Sequence, residues 1–502
     1  MPKTCLKQIY LPVLLLLSAS PIVEAQKVAR VQFSAATTEV DSRLGKDTKR
    51  LLGNVIFTHG NAKMYCDSAY FYSKKNALDA FSNVYINQAD TVHLYGDKLH
   101  YDGNTKVAQI RKNVRLLNRE TTLTTEALDY DIGKNVGYYI DHANIISNEN
   151  QLESRIGYYY TSTDLFDFQD SVIVINPDYT IYSDRMKYNT ETKVTFFNGP
   201  TEIIGDSSYI YCERGWYNTE TDVSQLNQKA IVKNTKQTVK GDSLYYEKNT
   251  GFGRAVNNVE IIDLDQKIIL RGNLGIYYDR KDYARMTDHA EFIQITSDDS
   301  LYLHADTLLS EVDAEGTKYI KAYYGVRIFK SNLQGRCDSM AYSFADSVIR
   351  LYDEPVLWSE ESQITAEYIE IHTEHRQVKT MFLEKSAFIV SRQDSSYYNQ
   401  IKGKNMVCHF RKNQLYRVDV NGNGQTVYYP IDDKEVIGAN KVECSNLIIF
   451  LTDGKVSSIS FLKSPNGTMY PLNKAPLNEL VLKGFHWLGD QRPLSKTDIF
   501  IK

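Results

Sequence analysis

The pentapeptide YNTET at Tyr188–Thr192 recurs at Tyr217–Thr221, 29 residues on, inside the longer matches IYSDRMKYNTET and IYCERGWYNTET. A fixed period constrains a fold more than composition does, because each unit must bury its apolar face against the next. The period extends far beyond this pair. Short apolar elements begin at Asn54, Asn83, Asn113, Asn144, Ser171, Pro200, Lys229 and Asn258, spaced 29, 30, 31, 27, 29, 29 and 29 residues apart. The series continues at His289, Gly325, Glu354, Ser386 and, weakly, Gln425, with insertions around 295–318 and 390–424. A second element follows each first one by about 13 residues and reads small-Asp-x-Leu-x-Tyr. Examples are GDKLHY (Gly96–Tyr101), TEALDY (Thr125–Tyr130), SDRMKY (Ser183–Tyr188), CERGWY (Cys212–Tyr217), GDSLYY (Gly241–Tyr246) and CDSMAY (Cys337–Tyr342).

Within each element the period is two. Val114 and Leu116 flank Arg115, Val259 and Ile261 flank Glu260, and Leu128 and Tyr130 flank Asp129. Such alternation predicts strands with one wet and one dry face. Turn residues separate the elements, as in DGNT (Asp102–Thr105) and EKNTG (Glu247–Gly251). The expected fold is therefore all-β. It is a long repeat solenoid of about 13 units of roughly 29 residues, in two antiparallel sheets whose apolar faces look at each other. YNTET then reads as one corner seen twice, with Asn-Thr-Glu-Thr turning the chain after Tyr188 and Tyr217.

The start of the chain reads as an export leader. Lys3 and Lys7 precede an apolar run from Ile9 to Leu17, and small residues ending VEA predict cleavage near Ala25. The run is short for a membrane span. The expected organisation is a leader at 1–25, a lead-in or cap at 26–52, regular repeats at 53–294, divergent repeats at 295–462, and a capping or docking tail at 463–502. Net charge is −4 over 502 residues, which excludes a general binder of nucleic-acid backbones, so no nucleic-acid partner is expected. Five cysteines follow the leader (Cys66, Cys212, Cys337, Cys408 and Cys444), without CxxC spacing. An odd, scattered set is no disulfide framework, although export permits a bridge. Cys66, Cys212 and Cys337 share a repeat position with Gly96, Gly241 and Ser183, so smallness explains them before reactivity does.

No GxSxG, HExxH or phosphate-binding glycine loop occurs, and no enzymatic activity, cofactor or metal is expected. HTEH (His372–His375) lies in strand and turn, outside the helical context of a zinc site, and SDDS (Ser297–Ser300) reads as an acidic turn.

The recurrent GDxLxY…NV grammar, with RLLGNVIFTHGNAKMYCDSAYFY (Arg50–Tyr72) followed by NVYINQADTVHLYGDKLHYD (Asn83–Asp102), resembles the OstA-like family. That group includes the LptA-type and periplasmic LptD-type jellyrolls of lipopolysaccharide transport. The likeness covers 50–260 well and 260–460 loosely. It implies a V-shaped β-jellyroll that holds acyl chains inside and hands lipopolysaccharide across the periplasm toward the outer membrane. It implies residence in the periplasm, free or outer-membrane associated. Implied partners are lipopolysaccharide or a related amphiphile, other Lpt jellyrolls joined end to end by strand addition, and an outer-membrane translocon. The groove lining expected on this basis is Val114, Leu116, Leu128, Tyr130, Met186, Tyr188, Leu244, Tyr246, Val259 and Ile261. The alternative is an exported structural or adhesive solenoid without lipid cargo.

Overall fold

A computed structural model describes residues 30–501, apart from 148, 297–298, 375–376, 395, 433–434, 453–454 and 475–476. The expected leader and its cleavage site near Ala25 lie outside these residues. Among the described residues the long elements are all strands, paired antiparallel, and the helical elements are short 3-10 turns such as Ser42–Leu44 and Asp498–Phe500. The chain is all-β. It forms two compact units: one holds residues up to Arg119 with Glu126–Val136, and the other holds Glu120–Thr125 with everything from Gly137 onward.

A bend in the middle of each long strand generates the repeat. In Ala77–Gln88 the residues Ser82 and Asn83 have φ of 64° and 50°, and the pairing register slips between Phe81 and Val84. The same left-handed pair recurs at Lys112 and Asn113, Gln228 and Lys229, and Asn257 and Asn258. An L-residue pays roughly 1–2 kcal/mol for that conformation, and asparagine tolerates it best. Here the asparagine side chain also finds a partner. Asn83 Nδ2 donates to Asp67 at 2.7 Å, Asn113 to Asp97 at 2.8 Å, and Asn258 to Asp242 at 2.9 Å. The aspartate of GD and the asparagine of NV are thus two halves of one bend. The residue before that aspartate must be small: a Cβ on Gly96 would meet Ile110 Cγ2 at 2.4 Å.

The bend splits each long strand between two ladders, whose inner faces meet, and short strands such as Ala143–Ser147 and Ile156–Tyr160 belong to one ladder each. In the first unit His59 Nδ1 and Tyr101 Oη, one from each ladder, lie 2.6 Å apart across the interior. The corners stack as well. Asn189 Oδ1 accepts the amides of Glu191 and Thr192, and Asn218 Oδ1 accepts those of Glu220 and Thr221, so both YNTET copies are the same side-chain-stabilised turn.

After the last strand, Asn466–Tyr470, the chain turns back as a strap along the outer face of one ladder. Gln400 donates to Leu480 O and accepts from Leu482 N, both at 2.9 Å. Gln363 repeats the arrangement with His486 O and Leu488 N, both at 2.7 Å. Leu480 and Leu482 bury themselves against Phe388, Val390, Val427 and Tyr429. Further along, Arg492 Nε donates to Gln334 at 2.7 Å and Phe500 packs on His304.

Candidate functional site

The inner faces carry one residue per strand in unbroken rows. In the first unit, ladder one runs Phe57, Met64, Ile86, Leu94, Leu116 and ladder two runs Leu51, Ala69, Ala80, Leu99, Ile110. All ten are buried, none more than 2% exposed. Burying a leucine-sized side chain fully contributes about 1.5–3 kcal/mol, so this interior is a conventional core.

In the second unit the corresponding rows have a different character. Ladder one passes through Ile181, Ile203, Ile210, Val232, Val239, Ile261 and Leu270. Ile181 is buried, and the six that follow are only half-buried. Facing them, ladder two passes through Met186, Phe197, Gly215, Leu226, Leu244, Ala255 and Gly275. Beside that row runs another, Tyr188, Thr195, Tyr217, Ser224, Tyr246, Gly253, Tyr277, in which tyrosines alternate with small residues. Tyr246 and Tyr277 are 38% and 36% exposed although they point inward. Glycines and serine leave the volume unfilled, so apolar walls stay in contact with solvent. Beyond this stretch the interior closes again, with Leu303, Leu357, Leu351, Ile369 and Leu383 at most 3% exposed.

At the entrance to the open stretch a cavity of about 40 Å³ lies between the ladders. Ile145, Leu152, Val174 and Ile181 line it from one side and Phe166, Phe168, Met186 and Tyr188 from the other. Burial pushes up the pKa of the Tyr179 and Tyr188 phenols, and Tyr217, which donates to Asp222 at 2.6 Å, is raised by burial and by that carboxylate. These phenols stay neutral donors at any physiological pH.

Of the residues expected to line a groove, Val114, Leu116, Leu128 and Tyr130 sit in the closed core, each at most 1% exposed. Met186 and Tyr188 flank the cavity. In the open stretch Leu244 is buried and Tyr246 exposed, with Ile261 half-buried and Val259 buried at the bend. The sequence reading passed over Tyr277 and the half-buried Ile203, Ile210, Val232, Val239 and Leu270. It also read Tyr217 only as a corner. The available signal was the 29-residue step from Tyr188 to Tyr217 to Tyr246.

All five described cysteines are free and buried. Burial pushes the Cys66 thiol up to about 11 and those of Cys212, Cys337 and Cys408 to about 12, which keeps them protonated and unreactive. His372 contacts Glu370 at 3.2 Å, while His375 and residues 297–298 lie outside the described residues. Among the described residues no group of three or more histidine, cysteine or acidic side chains could hold a metal.

Residues 27–184 match the model of a family described as OstA-like protein. Among solved structures, one match is LptH of Pseudomonas aeruginosa, described as the LptA homologous periplasmic component of the conserved lipopolysaccharide transport device. It is 17% identical, covers 21% of this chain and 77% of that chain, and has a TM-score of 0.19. No curated protein matches the chain.

Proposed function

We propose that this chain, a member of the OstA-like family by its residues 27–184, is a periplasmic carrier of long-chain amphiphiles of the lipopolysaccharide class, serving their transport to the outer membrane. The observation that carries this reading is the inner face between Tyr188 and Tyr277, where the apolar row from Ile203 to Leu270 and the tyrosine row ending at Tyr246 and Tyr277 lie half-exposed, while the side chains of the facing row from Met186 to Ala255 are buried. An acyl chain laid there would gain about 0.8 kcal/mol for each CH₂ taken out of water. Successive rungs offer similar walls, which suits sliding better than a single tight pocket would. The last strands, Lys455–Leu462 and Asn466–Tyr470, each pair only with Ala439–Thr452 among the described residues. Their free edges are where another jellyroll of the transport path would add by strand pairing.

The test is mass spectrometry of the organic extract of purified mature protein, with a photo-crosslinking residue at Tyr246 and, separately, at Leu99. Amphiphile should co-purify and crosslink at position 246 but not at position 99. A lipid-free protein together with normal surface lipopolysaccharide after depletion would overturn the reading.

A further inference from the structure

The strap seats on a row of outer-face residues, one from each of five successive strands: Trp358, Gln363, Val390, Gln400, Val427. Apolar residues alternate with amides. The amides hold the strap backbone at the C=O of one residue and the N–H two positions on, and the apolar residues take its leucines. This reads backbone more than side chain, as peptide-binding surfaces do.

The same outer face carries a second such row in the second unit: Ile146, Gln151, Ile175, Thr180, Ile204, again from five successive strands. The alternation of apolar and hydrogen-bonding residues is reproduced in the same order. Occupancy differs. Trp358, Val390 and Val427 are at most 2% exposed under the strap, whereas Ile146, Ile175 and Ile204 are 53%, 46% and 44% exposed. The two rows are parts of one continuous outer row, in which Tyr209, the exposed Lys233, Thr238, Ile262, Ile293 and Tyr302 lie between Ile204 and Trp358. Ile293, beside the end of the strap, is 4% exposed.

We propose that the row from Ile146 to Ile204 is a second strap seat, and that its occupant is an extended segment of a partner protein with apolar residues two apart and at least one basic residue. The extended form follows from the continuity with the strap and from the matching alternation. The basic residue follows from Glu153 and Glu202, which stand one row over on the same face. A second copy of this chain is a poor occupant, because its own strap is already committed, with Leu480 and Leu482 1% and 3% exposed.

A fluorescent peptide of residues 477–488, LNELVLKGFHWL, serves as the probe against the full mature chain. Anisotropy should show saturable binding of one peptide per chain, weakened about tenfold or more in Ile175→Asp and retained in Ile175→Leu. Ile204→Glu should weaken it likewise, and this covers the case in which the first variant fails to fold. Absence of saturable binding, or equal binding to wild type and both acidic variants, would overturn the proposal. So would an acidic variant whose only effect is loss of self-association in sedimentation, or of binding to phosphatidylethanolamine–phosphatidylglycerol vesicles.

Discussion

GDKLHY and GDSLYY are the same motif 145 residues apart, yet Tyr101 is 0% exposed and Tyr246 is 38% exposed. The rungs around Tyr101 are closed and those around Tyr246 are open. Bend, alternation and corner are common to both, so none of these decides whether the interior is filled. The filling comes from what stands opposite. Around Tyr101 the neighbouring inner positions are Leu78, Ala108, Leu99 and Ile110, with His59 reaching across. Around Tyr246 they are Ser224, Gly253, Leu244 and Ala255. One grammar thus builds both a core and a groove, and a few missing side chains separate them.

The largest expected effect tests that contrast directly. Leu94→Ala and Leu270→Ala delete the same atoms from corresponding inner-face positions. In the closed region the loss should be about 2–5 kcal/mol, and in the open region about 1 kcal/mol or less, because Leu270 is already half in water. Urea unfolding of the two variants measures both, and equal losses would erase the distinction.

The second test fills the space. A Cβ on Gly253 meets only ordinary contacts, the nearest Tyr246 Cδ2 at 3.6 Å, so Gly253→Phe should fold and lose co-purifying amphiphile severalfold. Gly96→Phe, with Ile110 Cγ2 at 2.4 Å from the new Cβ, should fail to give folded protein. Expression yield, circular dichroism and lipid mass spectrometry separate the outcomes.

The third concerns what the regions share. Asn113→Ala and Asn258→Ala should each cost about 1–2 kcal/mol, because alanine pays for φ near 50°. The glycine variants should be milder, since glycine adopts that conformation freely and only the bond to aspartate is lost. Unequal costs at the two bends would mean that the open region is also differently folded.

The smallest effect lies on the outer wall of the open stretch. Lys240 at 2.8 Å and Arg271 at 3.0 Å hold the Glu260 carboxyl below the usual carboxylate range. A depressed folded-state pKa stabilises above the unfolded value and is lost as pH falls through the folded one. Glu260→Gln should therefore cost about 0.2–1 kcal/mol at pH 7, with the difference from wild type vanishing as pH falls below about 4. Denaturant midpoints across pH check it.

Much of the architecture was legible because it is local. Alternation fixes which side chains share a face, and the two recurrent elements hold the halves of each bend, Asn113 with Asp97 and Asn258 with Asp242, although their pairing across 16 residues was seen only in the structure. The Asn-Thr-Glu-Thr corner could be read for the same reason, since its hydrogen bonds span two or three residues. The candidate site was legible only as a set of inward positions. Val114 and Ile261 follow one pattern, and only the facing wall shows that the first is sealed at 1% exposure and the second half-open.

The sequence by itself determined the all-β fold, its period, the inward and outward faces and the corners, because each depends on residues close together in the chain. Tertiary structure alone decided where the interior opens, since an empty volume belongs to two ladders at once and to no single motif. It also decided the course of the strap, whose glutamine clamps join residues 80 to 125 positions apart. Contacts of that span leave no periodic trace, and so no reading of the chain from one end to the other could have placed them.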